Sequence, residues 1–171
     1  DPASITEWDI ADKPPETFEI RICVFNAVDM PIMDWEGTSD VYFRGFFDSK
    51  EDVQETDTHF RNQDGKPDFQ YRLVYRIQVP RKDYKFSLQA YDRDFFKSND
   101  MIGEATLNLK QLIEDCSLVK KPLGLNEAYY KDVLKPAKYQ PLEFDDKDSS
   151  RFWLKLRAKD AKTGKEEVHG K

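Results

Sequence analysis

Cysteine and histidine are scarce in this chain, two of each among 171 residues. Cys23 falls inside an alternating segment and Cys116 follows a short amphipathic one, too few and too differently placed for a disulfide scaffold or a thiolate zinc site. A reducing, cytosolic setting is the simpler expectation. His169 sits in a charged C-terminal stretch and His59 ends ETDTHF, so no histidine pair offers itself to zinc or to a nucleophile. Long apolar runs are missing too. Charged residues make up 35% and no segment approaches the ~20 apolar residues that span a bilayer, so neither a signal peptide nor a transmembrane helix is expected. The formal net charge is -6, which argues against binding nucleic acid by phosphate neutralisation. No phosphate-cradling glycine loop, metal-hydroxide motif or paired nucleophile and base is recognisable, so catalysis is not expected of these residues.

What is present in number is aspartate, and at particular places. Asp34 and Asp40 fall in MDWEGTSDVYFRG, and Asp92, Asp94 and Asp100 in AYDRDFFKSNDMIGEA. Apolar strand-like segments enter and leave both stretches. Ten carboxylate oxygens can therefore meet at one end of a β-sandwich, the hard-oxygen environment that suits Ca²⁺ with its 6–8 ligands. Without a cation such a cluster repels itself, since two carboxylates about 6 Å apart at an effective dielectric of 20 oppose each other by roughly 3 kcal/mol. Aspartates also serve in turns by bonding local backbone groups, and that alternative applies to each of the five taken singly.

Period-two alternation is strongest in Phe69-Gln-Tyr71-Arg-Leu73-Val-Tyr75-Arg-Ile77-Gln-Val79, where every odd position is apolar. Residues 84–90 and 18–24 alternate likewise, and shorter strands are expected at 41–47, 55–60, 102–109, 139–142 and 152–158. This pattern predicts an all-β fold, an eight-stranded antiparallel sandwich of one domain. Residues 110–138 read as a helical insertion of two helices, packed by Leu112, Ile113, Tyr130 and Leu134, with Asn126 as N-cap and Pro136 as the stop. The insertion is locally basic through Lys120, Lys121, Lys131, Lys135 and Lys138. Residues 1–17 and 161–171 are expected to be a linker and a tail around a domain at 18–160.

The two aspartate loops, Met30-Pro-Ile-Met-Asp34-Trp-Glu-Gly37-Thr-Ser-Asp40-Val-Tyr42 and Tyr91-Asp92-Arg-Asp94-Phe-Phe-Lys-Ser-Asn-Asp100-Met-Ile102-Gly103-Glu104, resemble the calcium-binding loops of C2 domains. The segment Asp52-Val-Gln54-Glu55-Thr56-Asp57-Thr-His59-Phe60, followed by Gly65 and Phe69, is similar to one in C-terminal C2 domains of ferlins. The connection from Pro80 to Tyr84 is shorter than in animal ferlins, which suits a divergent or protist ferlin. The resemblance implies Ca²⁺ as cofactor, an anionic phospholipid membrane as partner, and a role in vesicle fusion, exocytosis or membrane repair. It implies a tail-anchored multi-domain parent, placing this fragment on the cytoplasmic side of a vesicle or the plasma membrane, with fusion-machinery proteins or other domains of the same chain as further partners. A calcium-independent protein-interaction or structural C2 domain is the alternative. Because nothing before Phe18 alternates whereas Arg151 to Ala158 does, the eighth strand is expected from the C-terminus, the topology called type II; pairing of residues 4–10 as a strand would undo that.

Trp35 follows Asp34, and Phe95 and Phe96 follow Asp94, which sets bulky aromatics where the loops turn outward. These either enter a bilayer interface, where tryptophan is favoured, or fold back over the sandwich end. Arg72 and Arg76 project from the polar face of the 69–79 strand. With Arg44 and Lys66 they form a candidate lipid-headgroup site, for which solvated surface charge is the simpler account.

Overall fold

The computed structural model describes residues 14–95, 98–134, 141–159 and 164–171. Eleven strands occur among them: β1 Glu16–Asn26, β2 Ser39–Phe46, β3 Gln54–Glu55, β4 His59–Asn62, β5 Asp68–Val79, β6 Lys85–Asp92, β7 Asp100–Asn108, β8 Glu143–Phe144, β9 Phe152–Trp153, β10 Arg157–Lys159 and β11 Glu166–Val168. They form an antiparallel sandwich. One layer pairs β1 with β5 in a continuous register from Glu16 opposite Val79 to Val24 opposite Tyr71. The other runs β11-β10-β7-β6-β2-β3, with β4 on the β2 edge, and β8 pairs only with β9.

Alternation decides which side chains each strand turns inward. On β5 the side chains of Leu73, Tyr75 and Ile77 are buried while Arg72 and Arg76 are exposed. On β2 the inward set is Val41, Phe43 and Gly45. The two inner faces meet through aromatic edges, Phe43 on Phe69 at 5.1 Å and Tyr75 on Phe86 at 5.5 Å between ring centroids, a geometry that adds to the area term. Gly45 leaves room for this: a Cβ there would come within 2.8 Å of Leu73, Phe86 and Tyr75 atoms.

Several expected boundaries differ. The strand expected at 55–60 is divided into β3 and β4 because Thr56 turns inward, its Oγ1 accepting from the Phe43 amide at 3.0 Å. Of the strand expected at 139–142, residues 139 and 140 lie outside the described residues, and the pairing begins only at Glu143. The strand expected at 152–158 is interrupted into β9 and β10. The tail reading of 161–171 is corrected: β11 pairs with β10, and Lys171 exchanges backbone hydrogen bonds with Val28 at 2.8 and 3.1 Å. The absence of alternation hid this, since a three-residue edge strand needs none. Likewise β1 begins at Glu16, inside the segment read as a linker. Residues 4–10, which bear on the type II topology, lie outside the described residues.

The insertion folds as helix α1, Lys110–Val119, and helix α2, Glu127–Tyr129, which continues as a π-helical turn to Leu134. Asn126 caps α2 as expected, its Oδ1 accepting from the Tyr129 amide at 2.8 Å. Ile113, Tyr130 and Leu134 are buried and Leu112 is partly so. Pro136 lies outside the described residues.

Candidate functional site: the aspartate end of the sandwich

The strand register carries the aspartates to one end. Asp92 closes β6, facing Val41 of β2 on one side and Asp100 of β7 on the other. Asp40 precedes Val41, so three of the five candidate ligands sit on adjacent strands. Asp92 is the inner member, 2% exposed, and its Oδ1 accepts from the Asp40 amide at 2.6 Å. Burial pushes its carboxyl above the usual range. The Asp40 amide opposes that shift, and the negative charges of Asp34, Asp94 and Asp40 add to it. Three of the other four aspartates therefore bear on Asp92.

The remaining contacts show how the loops are held. Ser39, fully buried, has an Oγ that donates to the Pro31 carbonyl at 3.2 Å and accepts from the Met33 amide at 2.7 Å. These bonds pin the base of loop one. Its tip is a tight turn, with the Asp34 amide donating to Thr38 and the Gly37 amide to Asp34, both at 3.0 Å. Gly37 has φ +79 there, which suits a residue without Cβ. Asp40 Oδ1 accepts from the Arg61 amide at 2.7 Å and its carbonyl accepts from the Arg93 amide at 2.9 Å. The Asp94 amide donates to Asn99 Oδ1 at 3.0 Å, and Asn99 Nδ2 donates to the Tyr42 hydroxyl at 2.9 Å. Arg61, Arg93 and Asn99 were not foreseen. Arg61 contributes its backbone from a left-handed conformation, φ 53, and backbone donors leave no mark on side-chain patterning. Asn99 is the one with a signal, an asparagine in the second aspartate loop, where such side chains commonly bond local backbone groups.

The donor chemistry suits a hard cation: all five side chains are carboxylates, half-buried or buried, three on strand ends and two in the loops between. Among the described residues no three His, Cys, Asp or Glu side chains are already gathered as a metal-holding group.

The tip aromatics divide. Trp35 is 93% and Phe95 77% exposed, neither folded back; Phe96 lies outside the described residues. Ile32 and Met33 of loop one, which were not singled out in the sequence, are also exposed. The four basic residues do not form one patch. Arg72 and Arg76 lie on the outer face of the β1–β5 layer, Arg76 3.7 Å from Glu19. Arg44 lies on the outer face of the other layer, opposite Glu55 and Gln89, and Lys66 in the loop before β5. Alternation puts residues on a face of their own strand, but which layer a strand joins is a tertiary matter.

Comparison with known proteins identifies the family. Residues 18–122 match the family described as the C2 domain. Ferlin 2 of Tetrahymena thermophila is 31% identical over 123 residues, covering 67% of this chain and 7% of that protein. Fer-1-like protein 4 of Mus musculus is 28% identical over 144 residues, covering 64% of this chain and 7% of that protein. Among solved structures, a C2 domain of a plant Extended Synaptotagmin 1 is similar at 17% identity and a TM-score of 0.48, covering 58% of this chain and 73% of that one. The chain thus spans about 7% of the length of the curated relatives it matches. With the family match extending over more than half of its residues, the chain belongs to the C2 domain family.

Proposed function

We propose that this chain is a Ca²⁺-dependent phospholipid-binding module of a ferlin-like protein of vesicle fusion, exocytosis or membrane repair, and that it is not itself an enzyme. The observation that carries the reading is Asp92: a buried carboxylate whose proton affinity is raised by burial and by three other aspartates has been assembled at a cost that a cation removes. Asp34, Asp40, Asp92, Asp94 and Asp100 would hold the ion, with Asp40 and Asp92 central because both sit on strand ends. Bound there, Ca²⁺ supplies positive charge that offsets the carboxylates and attracts anionic headgroups. Trp35 and Phe95, and Phe96 beside it in sequence, provide the apolar contact. Burying one phenylalanine side chain fully is worth roughly 1.5–3 kcal/mol, and every 1.4 kcal/mol is about tenfold in affinity. The working place that follows is the cytoplasmic side of a vesicle or the plasma membrane.

The alternative, a calcium-independent interaction domain, draws on the lack of a gathered metal group among the described residues. Calcium titration by calorimetry, repeated with anionic vesicles, separates the two. Saturable heat that strengthens with vesicles supports the module; no heat at millimolar calcium sinks it.

A further inference from the structure

At the pole opposite the aspartates a second apolar and basic surface is exposed among the described residues. β1 runs from Glu16 to Asn26, so its two ends are about 33 Å apart at 3.3 Å per residue, and the Asn26 end leads into loop one. The C-terminus of α1 lies against the Glu16 end: Ser117 Oγ donates to Glu16 Oε2 at 2.8 Å and Lys120 Nζ to Glu16 Oε1 at 2.5 Å. Here α1 ends because Lys120 turns left-handed, φ 54, and Pro122 cannot continue it. Leu118 to Gly124, LVKKPLG, are all exposed. Leu118 is 80%, Val119 50% and Leu123 38% exposed.

The run bears two lysines and no acid, in a chain of net charge -6. Lys121 has no acidic partner among the described residues. The nearest acids on α1 are engaged elsewhere, Glu114 with Lys110 at 3.8 Å and Asp115 with Gln111 and Tyr129. A projecting turn with apolar side chains beside the unpaired charge of Lys121, with Lys120 held by Glu16, fits the boundary of an anionic bilayer, where leucine enters the acyl region and lysine stays at the headgroups.

We propose that Leu118, Val119 and Leu123, flanked by Lys120 and Lys121, form a calcium-independent contact for an anionic lipid surface. It is separate from the aspartate loops and points the other way along the strands, so that the domain can touch a second bilayer. The test labels Leu118→Cys with an environment-sensitive nitrobenzoxadiazole probe in a Cys23→Ser, Cys116→Ser background, and in parallel Leu123→Cys in case the first label disturbs the turn. Vesicles of about 30% phosphatidylserine in phosphatidylcholine, at millimolar lipid with chelator present, should shift either probe to the blue. Pure phosphatidylcholine should not. Lys121→Gln should weaken the response about fivefold, as expected for one free lysine at an anionic surface, and Lys120→Gln less, because Glu16 already holds that ammonium. An unshifted probe, or a shift indifferent to Lys121→Gln, overturns the proposal. So does a probe already shifted without lipid, either in a protein-concentration-dependent way that marks a second copy as the occupant or in a way that deleting residues 1–13 abolishes. A label at Trp35→Cys, expected to respond only with calcium, reports on the loops alone, so failure at one pole is distinguishable from failure at the other.

Discussion

Asp92 shows how a single residue can work against the fold that holds it. A carboxyl whose folded pKa is raised favours the native state when protonated, so its contribution is fully present below the ordinary carboxylate pKa and is lost as pH rises through the raised value. At neutral pH, without metal, Asp92 is therefore a cost. Asp92→Asn keeps an oxygen to accept from the Asp40 amide and removes the charge. It should raise metal-free stability by roughly 1 kcal/mol, about 2–4 °C in melting temperature for a chain of this size, while abolishing the shift on adding calcium. Thermal denaturation with chelator and with calcium measures both, and a metal-free melting temperature that falls would contradict the account. Glu143 has the opposite sign. Lys155 and Lys171, each 2.8 Å away, hold its carboxyl down to about 2. Its contribution is present above the ordinary value of 4.5 and lost as pH falls through about 2. Carboxyl NMR titration should find Glu143 still ionised at about pH 3, and Lys171→Ala should move its midpoint upward.

At the scale of the element, loop one is held by its neighbours more than by its own sequence. The Met30 amide donates to the Gly65 carbonyl at 3.0 Å, and a Cβ on Gly65 would lie 2.6 Å from the Met30 carbonyl oxygen. Gly65 also has φ +66. From the other side Gly170 approaches so closely that a Cβ would meet the Met30 sulfur at 2.7 Å. Gly65→Ala combines left-handed strain with a backbone clash and should cost about 2–3 kcal/mol. Urea denaturation would show it, and a loss under about 0.5 kcal/mol, the scale of ordinary surface changes, would mean that the close approach is not maintained in solution.

For the whole molecule, the ends of the strands set what the domain responds to. Metal binding to the native state stabilises it by mass action, by about 2.7 kcal/mol at a hundred times the dissociation constant. Mg²⁺ demands a tight octahedral shell and gives up water reluctantly, so at equal concentration calcium should raise the melting temperature more. Equal shifts would reduce the aspartate end to a diffuse acidic patch. Vesicle binding should persist in part at 1 M salt, where screening shortens to about 3 Å. Trp35→Ala together with Phe95→Ala should remove that remainder of binding, which cosedimentation measures.

Much of this was legible in order along the chain. Period two marked β1, β2, β5, β6 and β7 because each has one face in the core, and the spacing of five aspartates marked the loops because strand ends put them there. Sequence alone marked Asp40, Asp92 and Asp100 at strand ends and Asp34 and Asp94 in the loops between, with aromatics beside them. It did not determine β8 and β11, nor the breaks that divide 55–60 into β3 and β4 and 152–158 into β9 and β10, because segments of two to four residues are too short for a pattern and form by pairing with a partner already in place. Nor did it determine that Arg44 and Arg72 would face away from each other, because alternation assigns a side chain to a face of its strand while only packing assigns the strand to a layer. The same reason explains the C-terminal segment: Glu166 to Lys171 look like solvated charge until β10 and Val28 supply the backbone groups that its amides and carbonyls need.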